Sequence, residues 1–131
     1  MTVGKTQSVG FQVGVRKTIN CSLEELWDYV LGKGMPLWFG DSKEEPEINK
    51  ELHSSTGNYG KITTLVPQSH FRMQFKFNSW TNTSAVQVRF IKAKTGTTLS
   101  FHQDKLTDER QREEMKSYWS KVLNHVSEEF L

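Results

Sequence analysis

Cysteine is almost missing from this chain of 131 residues: Cys21 stands alone. No disulfide can form within it, and a reducing compartment, the cytoplasm, is the expected setting. Long apolar runs are also lacking. No stretch approaches the ~20 residues of a membrane span, and "MTVGKTQSV" at the start has no apolar core that would make it a signal peptide. A dominant charge is absent too. The 17 basic and 15 acidic residues are spread along the sequence and leave a net charge of +2. That is a solvated mixed surface and not the clustered Lys and Arg of a nucleic-acid footprint, so no nucleic acid and no membrane insertion are expected. Repeats, low-complexity tracts and dividing linkers are not found. The expected organisation is a flexible arm over 1–9 and a single domain over 10–131, long enough to bury roughly two-thirds of its unfolded surface.

What is present is aromatic bulk: eight Phe, four Trp and three Tyr. Phe11, Val13 and Val15 alternate with polar or small residues, and period two predicts a half-buried opening strand. In "NCSLEELWDYVLGKG", Ser22 and Glu25 form a capping box, and Cys21 with Leu26 occupy the positions of a hydrophobic staple. Leu23, Leu26, Trp27, Val30 and Leu31 make one apolar stripe, and Gly32 stops the helix. Pro36 suits the first turn of a second short helix.

Residues 47–103 read as β. "GKITTLV" (60–66), "HFRMQFKF" (70–77), "AVQVRFIKA" (85–93) and "TTLSFHQ" (97–103) are rich in branched and aromatic residues, and a weaker strand is expected around 47–53. "PQS" and "KTG" are turn signals, which makes their flanking strands antiparallel neighbours. A spare sheet edge, able to pair in a dimer or equally to be covered by a loop, is expected near 84–93. The chain ends in a long helix capped by Thr107 or Asp108, with Met115, Trp119, Val122, Val126 and Phe130 along one seam.

This order predicts an α+β fold: a curved antiparallel sheet of about six strands, two short helices after the first strand, and a long C-terminal helix. Six strands span about 29 Å, whereas one helix is about 10–12 Å across. The sheet must therefore curl around the helix, and its mouth needs a cover. "MPLWFG" (35–40) is the segment expected to plug it, since a connecting segment is normally polar and this one carries Met35, Leu37, Trp38 and Phe39.

Three stretches resemble a known family. "VGVRKTINCSLEELWDYVLGKGMPLWFG" is similar to its opening strand and helices, "GNYGKITTLVPQSHFRMQFKFNSW" to its central hairpin, and "TGTTLSFHQDKLTDERQREEMKSYWSKVLNHVSEEF" to its last hairpin and closing helix. The resemblance is to the helix-grip, START-like superfamily, and within it to a stand-alone member of the family related to the activator of the heat-shock chaperone ATPase. The eukaryotic activator is similar to this chain in its C-terminal domain. The resemblance implies a chaperone or other protein partner, or a small hydrophobic ligand of the kind that others in the superfamily bind in a cavity: lipids, sterols, polyketides or hormones.

No catalytic or metal motif is found. His53, His70, His102 and His125 lack ligand spacing. Cys21 is better explained by packing than by nucleophilic chemistry. Asp41, Glu44, Glu45 and Glu47 read as a solvated loop, and Asp104 and Asp108 as turn and cap residues. The remaining constellation is apolar: Trp27, Trp38, Phe39, Met73, Phe75, Phe77, Phe90, Phe101, Met115, Trp119 and Val122. They are expected to line an internal cavity for a small apolar or amphipathic ligand, with Arg72, Lys76, Arg89 or His102 as its polar orienting group if the pleat turns inward. A non-catalytic ligand-binding protein is the leading expectation, ahead of a chaperone-associated interaction module and of a cavity enzyme such as a cyclase, dehydratase or hydrolase. No cofactor is expected, and monomer and homodimer both stay open.

Overall fold

The computed structural model describes residues 5–6 and 10–131. Among them the elements run β1 (Lys5–Thr6), β2 (Gly10–Ile19), α1 (Leu23–Val30), α2 (Met35–Trp38), β3 (Glu51–His53), β4 (Tyr59–Val66), β5 (His70–Lys76), β6 (Ser84–Ala93), β7 (Gly96–Leu106) and α3 (Glu109–Glu129). The strands make one antiparallel sheet in the order β1-β2-β7-β6-β5-β4-β3. Six of them are those read from the sequence. The two-residue β1 falls within the expected N-terminal arm, most of which lies outside the described residues.

Local chemistry sets the boundaries. Ser22 accepts from the Glu25 amide and the Glu25 carboxylate accepts from the Ser22 amide, which completes the capping box of α1. Asp108, not Thr107, caps α3, accepting from the Gln111 amide at 2.7 Å. Pro67 and Gln68 turn β4 into β5: Gln68 sits at φ 60°, the Ser69 amide donates to the Val66 carbonyl, and the pattern is a type II turn. Lys105, at φ 61°, adds one residue to β7 opposite β2. This bulge lets Leu106 turn inward after Phe101 and Gln103, so β7 extends past the predicted end at 103.

Two sequence readings are corrected. The segment 84–93 is not an edge: β6 lies between β5 and β7. Asp104 is not in a turn. It pairs with Ala85 inside the sheet and is almost fully buried.

The inner face of the sheet holds the core. α3 packs against β2 and β7, and α1 against β6 and β7. Phe71, Met73 and Phe75 point toward the helices, as do Val86, Val88, Leu99 and Phe101, all at 0% exposure. Burying each of these larger side chains is worth roughly 1.5–3 kcal/mol. The segment 35–40 closes one end: Trp38 is 1% exposed and Phe39 0%.

Candidate functional site

The eleven residues read as a lining are gathered on the inner face, and most are fully buried. Trp27 and Phe77 are half-buried at its margins. Their rings touch in sequence. Trp27 meets Phe90 at 4.9 Å between centroids and Phe71 at 6.1 Å. Trp38 bridges Phe71 and Phe39, Phe39 meets Phe75, and Phe75 meets Trp119. Trp119 stacks on Phe101 at 4.5 Å with the planes 12° apart. The chain of rings therefore runs from α1 through the plug to α3, mostly edge-to-face, which their quadrupoles favour. Four concavities of 230–390 Å³ lie elsewhere, and none of the eleven residues lines any of them.

The plug is fixed by polar bonds as well as by burial. The Trp38 indole Nε1 donates to the Val30 carbonyl at 2.8 Å, which ties α2 to α1. The Tyr118 hydroxyl donates to the Trp38 carbonyl, tying α2 to α3. Asn58 Nδ2 donates to the Phe39 carbonyl at 3.0 Å. Burial pushes the Tyr118 phenol up to about 12, so it keeps its proton and remains a donor at neutral pH. Gly60 makes room beneath. A Cβ there would stand 2.5 Å from Met73 Cε and 2.8 Å from Phe39 Cε1.

The polar groups inside are not those anticipated. Arg72, Arg89 and His102 lie on the opposite face of the sheet: Arg72 pairs with Asp104 at 3.3 Å, and His102 Nε2 meets Gln12 Oε1 at 3.1 Å. Lys76 alternates away from Phe75 in the same manner. The inner face instead carries a short buried string. Trp119 Nε1 donates to Gln103 Oε1 at 2.7 Å, Gln103 Nε2 to Ser84 Oγ at 2.8 Å, and Ser84 Oγ to the Phe75 carbonyl at 2.7 Å. The signal was available in the sequence. Gln103 shares parity with Leu99 and Phe101, and Ser84 with Val86 and Val88.

Ionisable groups add little chemistry. Burial, then the Glu25 charge, pushes the Cys21 thiol up to about 11, so it is protonated at neutral pH and a poor nucleophile. Glu44 is held below the usual carboxylate range, chiefly by the Ser42 hydroxyl at 2.5 Å. It lines an open concavity of 320 Å³ with Asp41, Ser42 and His53. Among the described residues no cluster of His, Cys, Asp and Glu is arranged to hold a metal ion, and no helix is long and apolar enough to cross a membrane.

Comparisons with known proteins fit this geometry. A comparison with curated proteins finds no match. Among solved structures, the Aha1 dimer from Colwellia psychrerythraea is 16% identical with a TM-score of 0.76, over 91% of this chain and 95% of that one. An HSP90 activator from Plasmodium falciparum is 18% identical with a TM-score of 0.75, over 88% and 92%. CalU16 from Micromonospora echinospora is 17% identical with a TM-score of 0.78, over 94% and 76%. At such identities the likeness carries the helix-grip fold. The model of the family "Activator of Hsp90 ATPase homolog 1-like protein" matches residues 20–130, from just past the opening strand through the gripped helix, and the chain belongs to that family.

Proposed function

We propose that this chain is a non-catalytic protein-interaction module that acts through its outer surface on a partner of the heat-shock chaperone class. The observation that carries the reading is the ring-to-ring packing of the interior. Trp38, Phe39, Phe75, Phe101 and Trp119 pack ring against ring in the region where a cargo would sit. Membership of the family named for the chaperone ATPase activator supports the same reading. An enzyme needs an acid or base aimed at substrate. Asp104, the buried carboxylate among the described residues, faces away from this interior. The setting is the cytoplasm, and the working form is a monomer or a homodimer. The test is a purified chaperone ATPase titrated with excess protein: a changed turnover rate is expected, and an unaffected rate together with no detectable complex removes the reading.

One observation favours a second reading, an apolar or amphipathic ligand taken up beneath the plug. The plug is held to the body by only a few side-chain bonds, those of Trp38, Tyr118 and Asn58 among them, so its displacement would open an aromatic floor at limited polar cost. Native mass spectrometry against a lipid and metabolite library separates the two readings, and Tyr118→Phe should increase uptake if the plug is the gate.

A further inference from the structure

The sheet has one long side that the described residues leave uncovered. β1 pairs with β2 only at Gly10 and Phe11, and the Gln12 carbonyl is taken by Arg112 Nε at 2.9 Å. From Val13 to Thr18 no described strand lies on the outer side of β2. Among the described residues, these six leave roughly 20 Å of backbone without a neighbouring strand, with alternate amides and carbonyls directed outward.

Two concavities flank this edge. One, of 280 Å³, lies toward α3 and is lined by Val15, Arg16, Lys17, Ser120, Leu123 and Asn124. The other, of 390 Å³, lies toward the outer face and is lined by Arg16, Lys17, Thr18, Ile91 and Thr98. Neither lining contains an acidic residue. Successive strand residues point to opposite faces, so Arg16 places a cation on the outer face and Lys17 one on the helix side, where its Nζ donates to Asn124 Oδ1 at 2.9 Å. The stripe of α3 beside this edge runs Arg112, Lys116, Ser120 and Asn124 at helical four-residue steps. Of the acids near this stripe, Glu113 is paired with Arg112 at 2.7 Å, and Glu109 and Glu128 lie at its two ends, one turn before Arg112 and one turn after Asn124.

We infer that the Val13–Thr18 edge of β2 docks an extended acidic segment of a partner protein as an added strand. The segment carries adjacent Glu or Asp residues, one directed to Arg16 and the next to Lys17. Main-chain bonds supply the attachment and the paired cations supply the choice of partner. Apolar contacts are available at the half-buried Val15 on one side and at the half-exposed Ile91 on the other. A second copy of this chain is a poor occupant. Antiparallel self-pairing brings Arg16 and Lys17 of both copies onto one short seam, and in the register centred on Arg16 that residue faces its own copy; like charges opposite one another destabilise a strand pair. The inference rests on the interaction-module reading and names the surface and partner chemistry for it.

The experiment is an amide-resolved titration of the full chain with an eight-residue peptide of Val and Thr carrying Glu-Asp at its centre. The control peptide carries Lys-Lys there. Expected are shifts and new hydrogen-exchange protection confined to Val13–Thr18, weakening with salt and absent with the control peptide. Arg16→Gln with Lys17→Gln should weaken binding roughly tenfold. Lys61→Gln, on β4 at the other side of the sheet, should not. Three results overturn the inference: no response at β2, an equal loss in Lys61→Gln, or protection without peptide of those alternate Val13–Thr18 amides that point away from β7. The last would show that a second copy or the chain's own residues 1–4 occupy the edge, and light scattering tells those apart. The titration reads this edge alone, whereas the chaperone assay reads any surface, so either can fail without the other.

Discussion

The interior beneath the plug and the outer edge of β2 are built from the same strands and obey opposite rules. Inside, large rings stand edge to face, and each indole N–H of Trp38 and Trp119 has an acceptor. At the edge, the side chains are cationic or small and the main chain lacks a described neighbour beyond Phe11. The interior spends its residues on stability, and the edge carries a strip of backbone that no described strand pairs. The other side of the sheet shows that openness is not obligatory. There β3 has only three residues and is flanked by bridges from Ser42 to Ser54 and from Ile48 to Ile62. Short edge strands and covering segments are the usual protection against unwanted pairing. On β2, Lys17 and Arg16 serve in their place.

Substitutions should separate the two regions by size of effect. Trp38→Ala removes a filled volume and leaves the Val30 carbonyl without its donor, and a loss of about 3–5 kcal/mol is expected by chemical denaturation. Gly60→Ala should cost about 1–3 kcal/mol. Met73 Cε can swing aside, but the Phe39 ring, 2.8 Å from the new methyl, is fixed as part of the plug. A neutral result would mean that the interior is looser than its ring contacts indicate.

Tyr118→Phe removes one hydrogen bond to the plug and should cost about 1 kcal/mol. It also carries a pH signature. The phenol is raised from 10.0 to about 12 by burial, so the folded state holds this proton more tightly than the unfolded chain. Its contribution is complete below pH 10 and is lost as pH rises toward 12. Melting curves across that window should fall more steeply in the parent than in Tyr118→Phe. At the small end, Arg16→Gln with Lys17→Gln should leave stability within about 0.5 kcal/mol of the parent, since both side chains are at the surface. A large loss there would erase the contrast between the regions.

Much of this contrast is legible in the sequence. The capping box, the proline turn, the alternating aromatic strand and the Trp38-Phe39 pair all act over a few residues, and each is found where local chemistry places it. Two features depend on distant chain. β7 returns to pair with β2, which encloses β6 and moves the open edge to the start of the domain. No local pattern around 84–93 marks that pairing. The bulge at Lys105 is equally hidden, because lysine carries no preference for the left-handed region. The eleven apolar residues were recognisable as one face, but periodicity reports which side a residue faces and not whether rings meet or stand apart. The buried string is harder to read for a simpler reason: Gln103 and Ser84 are polar residues on an apolar parity, and only the need of the Trp119 N–H for a partner marks them.

That string has a mechanical consequence. Apolar contacts alone would tolerate a screw motion of the last helix along its groove, because one greasy ridge resembles the next. A single indole dipole meeting a single amide does not: sliding by one turn strands both in a dry environment, at about 1–3 kcal/mol for each orphaned group. Trp119 and Gln103 thus act as a keyway that fixes the axial and rotational setting of the rod, and with it where Tyr118 meets the stopper and where Asn124 meets Lys17.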